Sequence, residues 1–261
     1  MRLDDAYANG AYIPHAAEYP RRWAAKAEAL RTDLGARAEI ALRYGRAERE
    51  VFDLFHPQGV AKGTVIFVHG GYWKAFDRSS WSHLAAGPLA RGWAVAIPSY
   101  TLCPDIRIAG ITPQIVAAVT AIADRTEGPL ALTGHSAGGH LVARMLAPGM
   151  LSTSVAARIA CVVPISPLAD LGPLLETSMN TDLRMDAAEA RAESPIHQPV
   201  PETPVAVWVG GAERPAFLDQ AQLLAEAWQA PCHIAEGRHH FDVIDALEQP
   251  DSDLTRLLTR S

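Results

Sequence analysis

The chain has 261 residues, of which 49% are hydrophobic and 20% are charged, and its formal net charge at pH 7 is −6. That length is ample for one large domain with an enclosed core. The slight excess of acidic residues gives no electrostatic reason to expect nucleic acid or an anionic membrane as a partner, so we expect a small-molecule substrate.

Cysteine usage and the absence of long apolar runs narrow the class of protein further. The three cysteines, Cys103, Cys161 and Cys232, are widely spaced and show no metal-binding pattern, so we expect buried thiols, a reducing compartment and no metal. The first residues lack the apolar core of a signal peptide, and no run approaches the ~18 apolar residues that span a bilayer. These features favour a cytoplasmic protein, and the oligomeric state stays open, with a homodimer as one alternative.

Residues 1–45 carry no strand pattern. Helix-forming residues follow Pro20 and continue to Arg31. Tyr7, Tyr12 and Trp23 give this segment more aromatic side chains than a disordered leader would carry. We therefore expect residues 1–45 to fold over the main domain as a lid.

Strand-like and helix-like runs alternate along the rest of the chain. The predicted strands cover residues 49–55, 64–69, 93–97, 130–133, 159–163, 204–209 and 233–235. The predicted helices cover residues 21–31, 77–91, 112–122, 139–146, 216–228, 241–247 and 253–258. Such alternation predicts an α/β fold with a mostly parallel, doubly wound sheet, helices on both faces and ligands at the carboxyl ends of the strands.

The segment 168–203 breaks this rhythm. It contains prolines, is mostly helical in composition and joins two predicted strands with more chain than a simple crossover needs. We interpret it as a small helical cap inserted into a single domain that spans residues 1–261.

A Gly-x-Ser-x-Gly pattern, Gly134 to Gly138, lies between a predicted strand and a predicted helix. A serine at the tip of so sharp a turn is strained, and the positions two before and two after it must be small. The alternative is a glycine-rich turn with an incidental serine. In this context, however, the pattern resembles the nucleophile elbow of the α/β-hydrolase fold, which makes Ser136 the predicted nucleophile.

A serine hydroxyl needs a base to take its proton and a carboxylate to orient that base. In the fold that the elbow resembles, the base comes last along the chain. Gly237-Arg-His-His-Phe-Asp242 follows the last predicted strand, so His239 and His240 compete for this role. We favour His240 because it directly adjoins Phe241 and Asp242, which open the next helix.

The acid should also follow a strand end between the serine and the histidine. Glu213 comes four residues after the predicted strand that ends at Val209, next to a Gly-Gly turn. Asp219 falls inside the following helix, and Asp242 is too close to the histidines in sequence. Glu213 is therefore the predicted acid, although a glutamate in a surface loop is the alternative.

The oxyanion of the tetrahedral intermediate requires backbone N–H donors that are fixed before the reaction. One predicted donor is Ala137, directly after the serine. The others are Gly71 and Tyr72, in the His69-Gly-Gly-Tyr loop that follows a buried strand, as in the HGGG-type motif.

Several segments together resemble the kynurenine formamidase (arylformamidase) family and its bacterial esterase-like relatives. They are His69-Gly-Gly-Tyr-Trp73, Gly134-His-Ser-Ala-Gly-Gly-His140, Tyr100-Thr-Leu-Cys-Pro104, Ser166-Pro-Leu-Ala-Asp-Leu171 and His240-Phe-Asp-Val-Ile244. The resemblance extends from about residue 50 to residue 250. In that family an aspartate stands at the position of Glu213, which supports the acid assignment while marking a departure.

The resemblance implies a serine hydrolase without a cofactor that cleaves N-formyl-L-kynurenine to kynurenine and formate. Tyr72 and Trp73 would then contribute an aromatic wall for the substrate. Arg184 and Arg191 are candidates for binding the amino-acid carboxylate, although a solvated helix face is the simpler explanation of both. The alternatives are a carboxylesterase or thioesterase with the same three residues, and a binding protein that keeps the fold without catalysis.

Overall fold

The computed structural model describes residues 3–260, and eight strands among them form one sheet. Their bounds are β1 Ala38–Arg43, β2 Val51–Phe55, β3 Thr64–Val68, β4 Ala94–Pro98, β5 Leu130–His135, β6 Ile159–Ile165, β7 Val207–Gly210 and β8 Cys232–Ala235. The order across the sheet is β1-β2-β4-β3-β5-β6-β7-β8. Strand β2 pairs antiparallel with β1 and β4, and all pairs from β4 to β8 are parallel, so the predicted sheet type is confirmed.

Helices fill the connections between the strands. In the described residues the α-helices are α1 Tyr19–Leu34, α2 Ala86–Ala90, α3 Ile108–Arg125, α4 Ala137–Arg144, α5 Thr153–Ala156, α6 Asn180–Leu183, α7 Ala187–Glu193, α8 Pro215–Trp228 and α9 Asp253–Leu258. Short 3-10 helices cover Asn9–Tyr12, Ala16–Glu18, Gly35–Arg37, Arg78–Ser80, Ser82–Ala85, Gly172–Glu176, Pro195–His197 and Val243–Glu248.

The sheet separates two layers of apolar side chains. On one face, Ile66 and Leu132 pack in a cluster with residues of α3 and α4. On the other face, Phe67 and Val95 pack in a cluster with residues of α1, α2 and α9. Consecutive side chains of a strand point to opposite faces, so strands that are apolar throughout suit a sheet covered on both sides.

Two elements differ from the sequence prediction. Strand β1 lies inside the segment that was expected to have no strand. It is an edge strand whose residues are exposed or half-buried, so its sequence carries no alternating apolar pattern that would reveal it. The helix predicted over residues 77–91, with an interruption near Gly87-Pro88, is instead broken before Ala86 into two 3-10 turns, and α2 continues through Gly87 and Pro88. Asp77 caps the first of these turns by accepting the N–H of Ser79, at 2.7 Å.

The N-terminal segment packs against the sheet domain. Trp23 of α1 is 4% exposed, and its ring lies 4.7 Å from that of Trp81 and 5.9 Å from that of Phe76. The segment 168–203 forms short helices and turns, several of whose side chains are buried. Within residues 3–260, no helix is both long and apolar enough to cross a membrane.

Candidate active site

Ser136 lies in a sharp turn between β5 and α4. Its φ and ψ are 57° and −117°, a conformation that is costly for a residue with a side chain. A Cβ added at Gly138 would lie 1.9 Å from the carbonyl oxygen of Val68, and one added at Gly134 would lie 2.4 Å from that of Gly138. The turn therefore closes only with glycine at both flanking positions, which holds the serine at the carboxyl end of the strand.

His240 and Glu213 form a buried pair at the ends of neighbouring strands. Nδ1 of His240 lies 2.5 Å from Oε2 of Glu213. The rings of Phe217 and His135 flank the imidazole, with centroids 4.3 and 4.5 Å away. Because Nδ1–H donates its hydrogen bond to the carboxylate, Nε2 is left as the basic atom of the ring.

The other carboxylate oxygen of Glu213 is held by Ser166 and by the strand end. The hydroxyl of Ser166 donates to Oε1, and so does the N–H of Gly210, at 2.9 Å. Burial alone would raise the pKa of Glu213. The charge and hydrogen bond of His240, together with the bonds from Ser166 and Gly210, outweigh burial and hold that pKa below its usual value.

Ser166 contacts Glu213 at the site, a role that the sequence did not predict. It directly follows β6, the strand between those that precede Ser136 and Glu213, and its φ of 46° is unusual for a serine. Its position after a strand that ends beside the elbow is the signal that could have identified it.

His239 lies outside the pair. Its Nε2 is 3.1 Å from the hydroxyl of Tyr19 in α1, and its Nδ1 is 3.1 Å from a carboxylate oxygen of Asp242. The structure therefore places His240, and not His239, against Glu213, while His239 links the histidine loop to the N-terminal helix.

Ser136 and His240 border the same cavity. Among residues 3–260 the hydroxyl of Ser136 forms no hydrogen bond with another protein group. The hydrogen bond from this hydroxyl to Nε2 of His240 is therefore not formed in this structure. Hydrogen bonds between nucleophile and base often tighten only when a substrate is bound.

The predicted oxyanion loop lies against the serine. A Cβ added at Gly70 would lie 2.8 Å from the backbone oxygen of His135 and 3.1 Å from Cβ of Ser136, so only glycine permits this approach. Gly71 and Tyr72 have φ values of 101° and 50° and both border the cavity. Within the described part of the chain, the N–H groups of Gly71, Tyr72 and Ala137 donate to no protein acceptor, which leaves them available to an oxyanion.

Trp73 does not line the cavity, contrary to its predicted role in substrate binding. Its side chain is fully buried and its ring meets that of His140 edge-on, with centroids 5.1 Å apart. A φ of 55° at Trp73 sets a side-chain direction that the sequence does not reveal. Arg184 and Arg191 are exposed and also lie away from the cavity.

The cavity beside Ser136 has a volume of about 430 Å³ and a mostly apolar wall. Its aromatic residues are Tyr7, Trp23, Tyr72, Phe76, Trp81 and Phe241, most of which the sequence analysis did not assign to the site. The N-terminal segment contributes residues 7–11, Pro20 and Trp23, whereas Met179 is the contribution of segment 168–203. The cover of this cavity is therefore mainly N-terminal.

The cysteines lie outside this site and are less buried than expected. Cys103 is buried, Cys161 and Cys232 are half-buried, and all three are free thiols. In the part of the chain that the structure describes, no group of three or more His, Cys, Asp and Glu side chains has an arrangement that could hold a metal ion.

Sequence comparisons agree with the observed fold. A family model of the α/β-hydrolase fold matches residues 65–240. A kynurenine formamidase of Drosophila melanogaster is 30% identical over 239 residues, which cover 83% of this chain and 79% of the relative. A kynurenine formamidase of Salmo salar is 27% identical, with the same coverage of both chains.

Solved structures include one from Silicibacter sp., described provisionally as a thioesterase, which is 60% identical, covers 100% of both chains and has a TM-score of 0.98. An esterase of Pyrobaculum calidifontis has a TM-score of 0.70 and covers 92% of this chain and 90% of its own. Its identity is 17%, so the likeness is one of fold alone.

Proposed function

Because this chain belongs to the α/β-hydrolase fold family, we propose that it is a serine hydrolase that cleaves a small aryl formamide or ester through an acyl-enzyme. N-formyl-L-kynurenine is the first substrate to test. The observation that carries the proposal is the arrangement at one site of Ser136, in a strained elbow, and the buried pair of His240 and Glu213.

In the proposed reaction, Oγ of Ser136 attacks the carbonyl carbon of the substrate and its proton passes to Nε2 of His240. Glu213 stabilises the imidazolium that forms. The N–H groups of Gly71, Tyr72 and Ala137 donate to the oxyanion of the tetrahedral intermediate. His240 then gives its proton to the departing nitrogen or oxygen as the bond to the acyl carbon breaks.

The second half of the reaction releases the acyl group. A water molecule loses a proton to His240 and attacks the acyl carbon of the ester on Ser136. The second tetrahedral intermediate collapses, the proton returns to Oγ of Ser136, and for a formyl group the acid released is formate. Because every proton passes between Ser136, His240, substrate and water, the proposed reaction needs no cofactor.

The shape and chemistry of the cavity support a small aromatic substrate. Indole and phenyl rings from Trp23, Phe76 and Trp81 form much of its wall and suit the flat ring of an arylamine. The similarity to kynurenine formamidases supports a formyl group as the acyl part.

A carboxylesterase or thioesterase is the second candidate function. Its support is the 60% identical structure that is described provisionally as a thioesterase. The three predicted catalytic residues would act in the same way on an ester or a thioester, because only the departing atom changes.

The test is a comparison of kcat/KM for N-formyl-L-kynurenine, p-nitrophenyl acetate and an acetyl thioester. We expect the formamide to be the best substrate and Ser136→Ala to lose on the order of 10⁴-fold or more in kcat on each. Ser154→Ala, which removes an exposed serine of α5 that does not border the cavity, is the matched control.

Three outcomes separate the candidates. A formamide rate equal to the uncatalysed blank, with hydrolysis of either ester, would leave an esterase or thioesterase. No turnover of any substrate would favour a binding protein on this fold. A phosphonate probe that adds mass to wild-type protein and to Ser136→Ala alike would mean that Ser136 is not the nucleophile.

A further inference from the structure

Asn9 carries a buried amide that the catalytic mechanism does not use. The residue opens a 3-10 helix, Asn9–Tyr12, and is 6% exposed. Its Oδ1 has no hydrogen-bond partner among residues 3–260. A buried polar atom without a partner is unfavourable, and native proteins keep such groups mainly where a ligand or water satisfies them.

Asn9 lies between two recesses that both reach His240. It borders the main cavity together with Ser136 and His240. It also borders a second recess of about 200 Å³ that is lined by Glu213, His239 and His240. The amide is therefore placed on the side of the site where the base lies.

The segment that carries Asn9 is fixed to residues beside the predicted catalytic groups. The hydroxyl of Tyr72, in the oxyanion loop, donates to the carbonyl of Tyr7 at 2.7 Å. Arg214, directly after Glu213, donates to Asp5 at 2.7 Å, and its guanidinium lies 3.7 Å from the ring centroid of Tyr12. An amide held in this way is preorganised, so it can discriminate between ligands at little entropic cost.

The proton transfer from His240 indicates which part of a substrate would contact Asn9. His240 returns its proton to the departing atom, so the departing portion of the substrate must lie on the His240 side of Ser136. The main cavity is otherwise mostly apolar, and its cation, Lys74, is exposed and ion-paired with Asp182. A neutral amide offers both a donor and an acceptor, and rotation by 180° exchanges them.

We propose that the amide of Asn9 binds a hydrogen-bonding group on the departing portion of the substrate and so selects polar aryl substrates over apolar ones. This inference rests on the proposed function, because it assigns a substrate class to the same site. A site built to pair with a polar group discriminates against an analogue that lacks it, since the protein group is then left unpaired.

The test uses substrates that differ only in the polar groups of the departing portion. The formamide series begins with formanilide. The second member, 2-formamidoacetophenone, adds a ketone, and the third, N-formyl-L-kynurenine, adds an amino-acid group as well. The ester pair is phenyl acetate and O-acetyl-L-tyrosine. We expect Asn9→Leu to lower kcat/KM about tenfold for the members that carry the recognised group, which corresponds to one ordinary hydrogen bond. The member without that group should keep its wild-type value.

Tyr12→Phe is the matched control, because it removes the bond from the Tyr12 hydroxyl to Asp5 in the same segment without touching the main cavity. We expect it to leave the ratio between polar and apolar substrates unchanged. Equal losses on all substrates in Asn9→Leu, an unchanged ratio, or the same change of ratio in Tyr12→Phe would each overturn the role of Asn9. If Asn9→Leu does not fold, Asn9→Ser, which keeps a smaller polar group, gives the same ratio test.

The two substrate classes keep this test separate from that of the proposed function. If wild-type protein hydrolyses the esters but not the formamides, the formamidase proposal fails. The selection by Asn9 is then still measured on the ester pair.

Discussion

Nδ1 of His240 and Oε2 of Glu213 lie 2.5 Å apart in a pocket closed by the rings of Phe217 and His135. Both partners are buried, and the hydrogen bond from Nδ1–H to the carboxylate leaves Nε2 as the basic atom of the ring. The same burial lowers the pKa of His135 well below its usual value, first by desolvation and then by the charge of His240. A neutral His135 adds no second positive charge beside His240.

The identity of the acid can be tested by two substitutions at Glu213. Glu213→Gln keeps the size but removes the charge that stabilises the imidazolium, and we expect kcat to fall about 10⁴-fold. Glu213→Asp keeps the charge, but its side chain is one methylene shorter and the carboxylate lies farther from His240. We expect kcat to fall about a hundredfold or less. The measurement is kcat on the best substrate. Equal losses in the two variants would mean that the charge of Glu213 has no special role.

Ser166 should act as a positioning residue for Glu213. Because its hydrogen bond lowers the pKa of Glu213, Ser166→Ala should raise that pKa, so that the carboxylate takes up a proton at a higher pH. We expect kcat to fall about tenfold and the acidic limb of the kcat/KM profile to move to higher pH.

The matched control for Ser166→Ala is Ser99→Ala. Ser99 is also buried, but its hydroxyl accepts a bond from the N–H of Arg78 and makes no bond to Glu213. This variant should keep the wild-type pH profile. A profile that moves equally in both variants, or in neither, would contradict the positioning role of Ser166.

Much of the fold was predictable because short stretches of the sequence indicate it without tertiary information. The continuous apolar run of β3 and the two glycines around Ser136 are signals that need no tertiary context. The predicted α/β-hydrolase fold and the resemblance to kynurenine formamidases and esterases are confirmed. Fold and named relatives together support a hydrolase, whereas the roles of the individual site residues stay predictions.

The walls of the site could not be predicted because they depend on side-chain direction and on contacts between distant segments. Trp73 adjoins Tyr72 in sequence, yet its side chain enters the core while Tyr72 borders the cavity. Trp23 and Phe241 are separated by most of the chain and lie with ring centroids 5.4 Å apart. No spacing within the sequence indicates such a pair.

The elbow should tolerate no side chain at Gly138. A Cβ there would meet Val68 backbone atoms at 1.9 and 2.5 Å, and backbone cannot move aside as a flexible side chain can. We expect Gly138→Ala to lower the free energy of unfolding by more than about 4 kcal/mol, measured by urea denaturation. Gly149→Ala is the control, since a φ of 73° is strained for alanine but the added methyl meets nothing within 4 Å, so a loss of about 1–2 kcal/mol is expected. A Gly138→Ala variant as stable as this control would contradict the close approach.

Buried histidines should make the protein less stable in mild acid. Burial, followed by the charges of Lys26 and Arg31, lowers the pKa of His83 from 6.5 to about 3. Between these values the unfolded chain takes up a proton that the folded chain does not. Stability from this residue is therefore fully present above about pH 6.5 and is lost as the pH falls towards 3. Burial likewise lowers the pKa of His69 and of His140 to about 4, with the same sign.

His83→Phe isolates one of these contributions. Both ring nitrogens of His83 lack partners among residues 3–260, so a phenyl ring of similar size leaves no hydrogen bond broken. We expect the variant to match wild type in unfolding free energy at pH 8, within the cost of repacking. At pH 5 it should be more stable by about 2 kcal/mol, because the unfolded variant has no histidine to protonate at this position. Urea denaturation at the two pH values is the measurement. An equal drop from pH 8 to pH 5 in both proteins would show that His83 is already protonated in the folded state or is accessible to water.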